Sequence, residues 1–113
     1  MSAIYDRQGR QITNDEWAVL LREPDASRVA LDVITIGERE FTVSTIWLGL
    51  DHGYDGKLAI FETMVFADGS WSDLYCDRYA TEEDARAGHQ EAVDLTKAGY
   101  FLDAADKQKG TNE

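Results

Sequence analysis

The chain has 113 residues and a net charge of −11, with 22 acidic side chains against 11 basic ones. This excess argues against a basic nucleic-acid groove or a docking face for anionic membranes. It suits a basic protein partner, a surface that imitates nucleic acid, or plain solubility.

An apolar share of 43% is ordinary for a globular protein, and the length fits one domain with its own core. The single cysteine, Cys76, excludes an internal disulfide and a multi-thiolate metal centre; in its strand pattern it reads as a small packed residue. The opening MSAIYDRQGR has no basic-then-apolar leader, and no apolar run approaches the length of a membrane span. A cytoplasmic protein without membrane contact is expected.

Ile4 to Ile12 reads as a short β-turn-β piece with its turn at Arg7-Gln8-Gly9. Thr13 and Glu16 have the spacing of a capping box, which opens a helix closed by Pro24. Trp17, Leu20 and Leu21 form its apolar stripe, with Trp17 assigned to the core. Arg28 to Ile36 alternates imperfectly and predicts a strand with one face partly wet. Gly37-Glu38-Arg39 is a tight turn.

Next come two apolar, β-branched and aromatic runs, Phe41 to Leu50 and Leu58 to Phe66, joined by the polar connection Asp51 to Lys57. They predict a central hairpin. Asp68-Gly69 marks another turn, and Trp71 to Tyr79 reads as an edge strand. Counting by two places Trp71, Asp73, Tyr75, Asp77 and Tyr79 on one face and Ser72, Leu74, Cys76 and Arg78 on the other.

Thr81 caps a last helix with acidic residues in its first turn. Ala85, Gly88, His89, Ala92, Leu95, Thr96 and Gly99 share one side, and Gly99 ends it. Tyr100-Phe101-Leu102 can tuck back, whereas 103–113 is a polar tail expected to be frayed. The pattern thus predicts one domain over residues 1–102. Its class is α+β: an antiparallel β-meander sheet packed on one face by an N-terminal and a C-terminal helix, in two layers.

Within the second central run, Ile60, Glu62, Met64 and Phe66 share one face, and both faces are mostly apolar. Such a strand is covered on both sides or lies in a dimer interface. Glu62 is expensive there unless paired. It is either a ligand, metal or catalytic carboxylate, or a structural one bonded to Arg78, Trp47 or Thr45, or it faces solvent.

Asp51, His52, Glu62 and His89 are the residue types of a hydrolytic metal centre, yet no HExxH or calcium-loop spacing joins them. His89, on the apolar stripe of its helix, reads as hydrogen-bonded structure. Ser44 and Thr45 lack the sharp turn of a nucleophile elbow. No cofactor or resident metal is implied.

Val43-Ser44-Thr45-Ile46-Trp47-Leu48-Gly49-Leu50-Asp51-His52, Ile60-Phe61-Glu62-Thr63-Met64-Val65-Phe66 and the stretch from Arg78 to His89 resemble, as a set, a family of small proteins. Bacteriophage and prophage-bearing bacterial genomes encode it, and its members are uncharacterised. The resemblance spans roughly residues 1 to 95, including Tyr5-Asp6-Arg7-Gln8-Gly9 and Ile12-Thr13. It implies a phage or phage-derived origin and carries over no activity and no functional residue. The family's connection before the second segment commonly carries prolines; Tyr54 to Lys57 has none, which implies a more mobile loop.

The first expectation is therefore a small acidic accessory protein without catalytic activity. It would bind a host or phage protein, or a second copy of itself, through Trp71, Asp73, Tyr75, Asp77, Arg78 and Tyr79. No direct nucleic-acid binding is expected. The alternative is a small metal- or nucleotide-dependent enzyme or ligand-binding domain built on Asp51, His52, Glu62 and His89.

Overall fold

The structure, a computed structural model, describes residues 3–111. The order is β1 (Ile4–Tyr5), β2 (Gln11–Ile12), α1 (Asn14–Leu20), β3 (Arg28–Ile36), β4 (Arg39–Trp47), β5 (Phe61–Ala67), β6 (Tyr75–Tyr79), α2 (Glu82–Lys97) and α3 (Leu102–Thr111). The four long strands form an antiparallel sheet in sequence order, β3-β4-β5-β6, and β1 pairs with β2 in a small second sheet. The α+β meander expected from the turn signals is the fold observed.

Burial along β4 and β5 marks where the core lies. Phe41, Val43, Thr45 and Trp47 are buried on the same face as Phe61, Thr63, Val65 and Ala67, and α2 lies across that face, touching all four strands. Small residues bring the helix close: Ala85, Gly88 and Ala92 face the sheet, and a Cβ at Gly88 would overlap the Tyr79 phenol. Thr81 caps α2 by accepting from the Asp84 amide at 3.1 Å.

Gly99, at φ +83°, stops the helix, and the bonds from Gly99 N to Thr96 O and from Tyr100 N to Leu95 O complete a Schellman closure. The turn redirects the chain so that Phe101 and Ala105 enter the core beside Ile34, Phe41 and Val65. The expected frayed tail is thus largely a helix, α3; only residues 112–113 lie outside the described part. Polar composition hid it because only Phe101 and Ala105 need to be buried.

Three other expectations need correction. Strand β6 begins at Tyr75, not Trp71; the segment from Ser70 to Asp73 is bent, and an Ala67–Ser70 turn precedes it. The central hairpin has regular strands only to Trp47 and from Phe61. Beyond Trp47 the chain turns toward β1, with Tyr5 N donating to Gly49 O and Asp51 N to Ala3 O. The capping box of α1 is present, Glu16 and Thr13 bonding reciprocally. Yet Leu20 and Leu21 stay exposed, because this seven-residue helix rests on the β1–β2 hairpin. Trp17 alone reaches the body, against Gly49, whose missing Cβ makes room for the indole.

Helix α2, joined by α3, covers one sheet face only, and α1 does not pack on it. On the other face, cross-strand rows run Val33–Thr42–Phe66, Leu31–Ser44–Met64–Cys76 and Ile46–Glu62–Arg78. Of these side chains Glu62 alone is buried; the others are half-buried or exposed, with Val33 58% and Leu31 43% accessible. No helix among the described residues is long and apolar enough to cross a membrane.

Candidate functional site

Glu62 and Thr63 are adjacent on β5, so their side chains leave on opposite faces of the sheet. This alternation separates the two sets of polar residues that the sequence singled out.

On the open face, Arg78 Nε donates to Glu62 Oε2 at 2.9 Å across the directly opposed β5–β6 pair. The Glu62 residue is 7% accessible. The hydrogen bond to Glu62, against a smaller desolvation effect, raises the Arg78 pKa further above its already high value. Cys76, two residues before Arg78 on the same face of the edge strand, is exposed rather than packed, and its Sγ lies 3.6 Å from the same carboxylate oxygen. Burial first, then the Glu62 charge, pushes the thiol pKa up, which keeps sulfur protonated and a poor nucleophile. Glu62 is therefore the structural carboxylate of the alternatives, and Arg78 is its partner.

On the helix face, a chain of polar groups runs Thr63–Thr45–His89–Asp32. The two threonine hydroxyls are 2.5 Å apart, Thr45 Oγ1 is 2.7 Å from His89 Nδ1, and His89 Nε2 is 2.7 Å from Asp32 Oδ2. A consistent proton assignment has Nε2–H donating to Asp32 while Nδ1 accepts from the Thr45 hydroxyl. Hydroxyl, imidazole and carboxylate in series is the layout of an activated nucleophile. Here Thr45 and Thr63 are completely buried under α2, so no substrate reaches them. The chain instead ties α2 to β3, β4 and β5, as expected of a structural His89.

Asp51 is turned into its own loop, where Oδ1 accepts from Gly53 N at 2.8 Å and Ala59 N at 3.0 Å. These amides, Ala59 first, lower its pKa. A Cβ at Gly53 would collide with the Lys57 carbonyl, so the tight return of the loop requires glycine there. His52 is exposed beside an open cleft of about 260 Å³ lined by Tyr54, Lys57 and Arg78.

The alternative site is therefore not assembled. Glu62 and His89 lie on opposite faces, and Asp51 Oδ1 is engaged by the Gly53 and Ala59 amides of its own loop. Among the described residues no three His, Cys, Asp or Glu side chains are placed to hold a metal ion.

The aromatic-acidic face is also divided. Tyr75 and Tyr79 turn to the helix side, where Tyr75 stacks obliquely on Phe101 at 5.6 Å between centroids and Tyr79 meets Gly88. Burial raises the pKa of both phenols. Asp77 bends back to accept from the Arg78 amide at 2.9 Å, and Arg78 points to the open face. Asp73 is exposed in the bent segment before β6.

Trp71, in the same segment, is 93% accessible and shares a shallow depression with Thr42, Phe66, Gly69 and Ser70. It thereby joins the open sheet face at the end of the Val33–Thr42–Phe66 row. Sequence reading missed this face as a unit. Its signal was the apolar content of both faces of β5, combined with Leu31 and Val33 on β3.

The geometry defines a helix-backed antiparallel sheet with one face left open. Comparison of the chain with protein-family models, with curated proteins and with solved structures yields no match.

Proposed function

We propose that this protein is a phage-type accessory factor that acts by binding another protein, of host or phage origin, through the open face of its sheet. The observation that carries this reading is the contiguous face of Leu31, Val33, Ile46, Met64 and Phe66 with Trp71 standing free at its margin. Exposed and half-buried apolar side chains beside an exposed tryptophan have the composition of an interface, where Trp is enriched among the energetically dominant residues. The overall charge of −11 favours a partner with a basic rim.

The reading replaces the Tyr75/Tyr79 surface with the opposite face of the same sheet and keeps Trp71. It is tested by affinity capture from host lysate with nuclease present, comparing the native chain with Trp71→Ala and Met64→Lys. A stoichiometric protein retained by the native chain and lost in both variants is the expected result. Equal capture by all three, or capture of nothing by the native chain, overturns it.

A further inference from the structure

The sheet has two edges, and they are built differently. At β6 the edge is blunted: the Asp77 carboxylate occupies the Arg78 amide, and Arg78 places a charge among the outward residues. Natural edge strands carry such devices because unpaired backbone groups recruit another strand. The other edge, β3, is nine residues long and has little of this protection.

The register shows which backbone groups β3 leaves free. Glu40 O accepts from Asp68 N and Leu48 N donates to Ile60 O, so the even-numbered residues of β4 bond to β5. The odd-numbered residues Phe41, Val43 and Thr45 therefore bond to Ile34, Asp32 and Ala30 of β3. Leu31, Val33 and Thr35 then turn their N–H and C=O groups outward along the free edge, and all three side chains are exposed. Between Ala30 and Ile36 the one charged side chain is Asp32, which leaves on the helix face and accepts from His89. Among the described residues no charged side chain lies on the outward row between Ala30 and Ile36.

We infer that β3 is a self-association edge, pairing antiparallel with β3 of a second copy to make one eight-stranded sheet. The occupant is argued from self-complementarity. A two-fold axis at Val33 sets Val33 opposite Val33 of the other copy, Leu31 opposite Thr35, and Asp32 opposite Ile34. Every outward residue meets an outward residue, as an antiparallel ladder requires. A two-fold axis one residue earlier, at Asp32, would set the two carboxylates face to face.

The Val33 register also brings the Arg28 end of one copy alongside the exposed Glu38 turn of the other, opposite charges at both ends of the seam. It joins the two open faces side by side, with Leu31 and Val33 of both copies at the centre. The pairing uses backbone groups and does not rest on the proposed binding of another protein.

Register-specific cross-linking tests it. In a Cys76→Ser background, Val33→Cys places two sulfurs on residues directly opposed at a Cα separation of about 5.5 Å, which a disulfide spans. Thr35→Cys places them four residues apart along the seam, about 13 Å, which a disulfide does not span. Combining Leu31→Cys with Thr35→Cys restores an opposed pair. Covalent dimer from the first and third variants and none from the second is expected under mild oxidation. Sedimentation of the native chain should give a dimer, and Val33→Lys a monomer with an unchanged circular dichroism spectrum. A native chain that is monomeric at all concentrations overturns the inference. So does equal cross-linking through Val33→Cys and Thr35→Cys, or a Val33→Lys dimer.

Discussion

Arg78 and Glu62 face one another across the β5–β6 pair, with Nε and Oε2 2.9 Å apart, and only the arginine side of the pair reaches water. The carboxylate side chain is 8% accessible and the arginine side chain 44%. Removing the arginine strands a buried charge, whereas removing both ends does not. Arg78→Met should cost about 1–3 kcal/mol in urea unfolding, and Glu62→Met combined with Arg78→Met should recover most of it. A double-variant loss equal to the sum of the Arg78→Met and Glu62→Met losses would show that the pair is uncoupled.

The buried chain from Thr63 to Asp32 makes a second test. Thr45→Val preserves shape but deprives His89 Nδ1 and the Thr63 hydroxyl of their common partner. A loss of about 1–3 kcal/mol is expected, the usual cost of leaving buried polar groups unsatisfied. Calorimetry of the variant beside Ser44→Val, whose side chain lies on the open face, checks it; the second substitution should be nearly neutral.

Acid should act through the loop and turn aspartates. Hydrogen bonds from Ala59 and Gly53 depress Asp51, and the Glu40 amide followed by Arg39 depresses Asp68, each from an ordinary value of 3.8. For a depressed carboxylate the stabilisation is complete above the unfolded-state pKa. It declines as pH falls below about 3.8 and is gone beneath the folded-state value. Asp51→Asn should therefore flatten the acid limb of the stability curve below pH 4 while leaving its neutral region little steeper or shallower. A limb of unchanged slope would assign acid sensitivity to other groups.

Helix α3 distinguishes a folded terminus from a frayed one. Truncation after Leu102 removes Ala105 from the core and Asp106 from its ion pair with Arg39. The melting temperature should fall by several degrees, about what a loss of 1–2 kcal/mol produces in a chain of this size. An unchanged melting temperature would mean that 103–113 contributes nothing.

The two aromatics that sequence reading placed on one face should behave oppositely. Trp71→Ala, at a side chain 93% accessible, should leave stability within about 0.5 kcal/mol. Tyr75→Ala loses a stacking partner of Phe101 and should cost about 1–3 kcal/mol. Paired denaturation curves separate the two, and equal effects would return Tyr75 to the surface.

Much of this fold could be read from local signals because local physics produces them. Thr13-Asn14-Asp15-Glu16 specifies a capped helix start, Gly37-Glu38 and Asp68-Gly69 specify turns, and Gly99 specifies a helix stop, each within a few residues of chain. The short turns between successive strand runs likewise pointed to a meander. Even the Glu62–Arg78 pair was among the readings open to sequence, since a carboxylate in an apolar strand demands a partner.

What only the tertiary structure decided was which side of each strand α2 would cover. Periodicity of two divides a strand into two faces but does not rank them when both are apolar, as in β5. Packing ranked them through distant contacts: Gly88 against Tyr79, His89 reaching Thr45 and Asp32, and Phe101 closing over Val65 and Tyr75. Those contacts placed His89 opposite Glu62, drew Tyr75 and Tyr79 inward, and left Leu31, Val33, Met64 and Phe66 uncovered. Burial on one face is settled by residues dozens of positions away, and no local pattern carries that information.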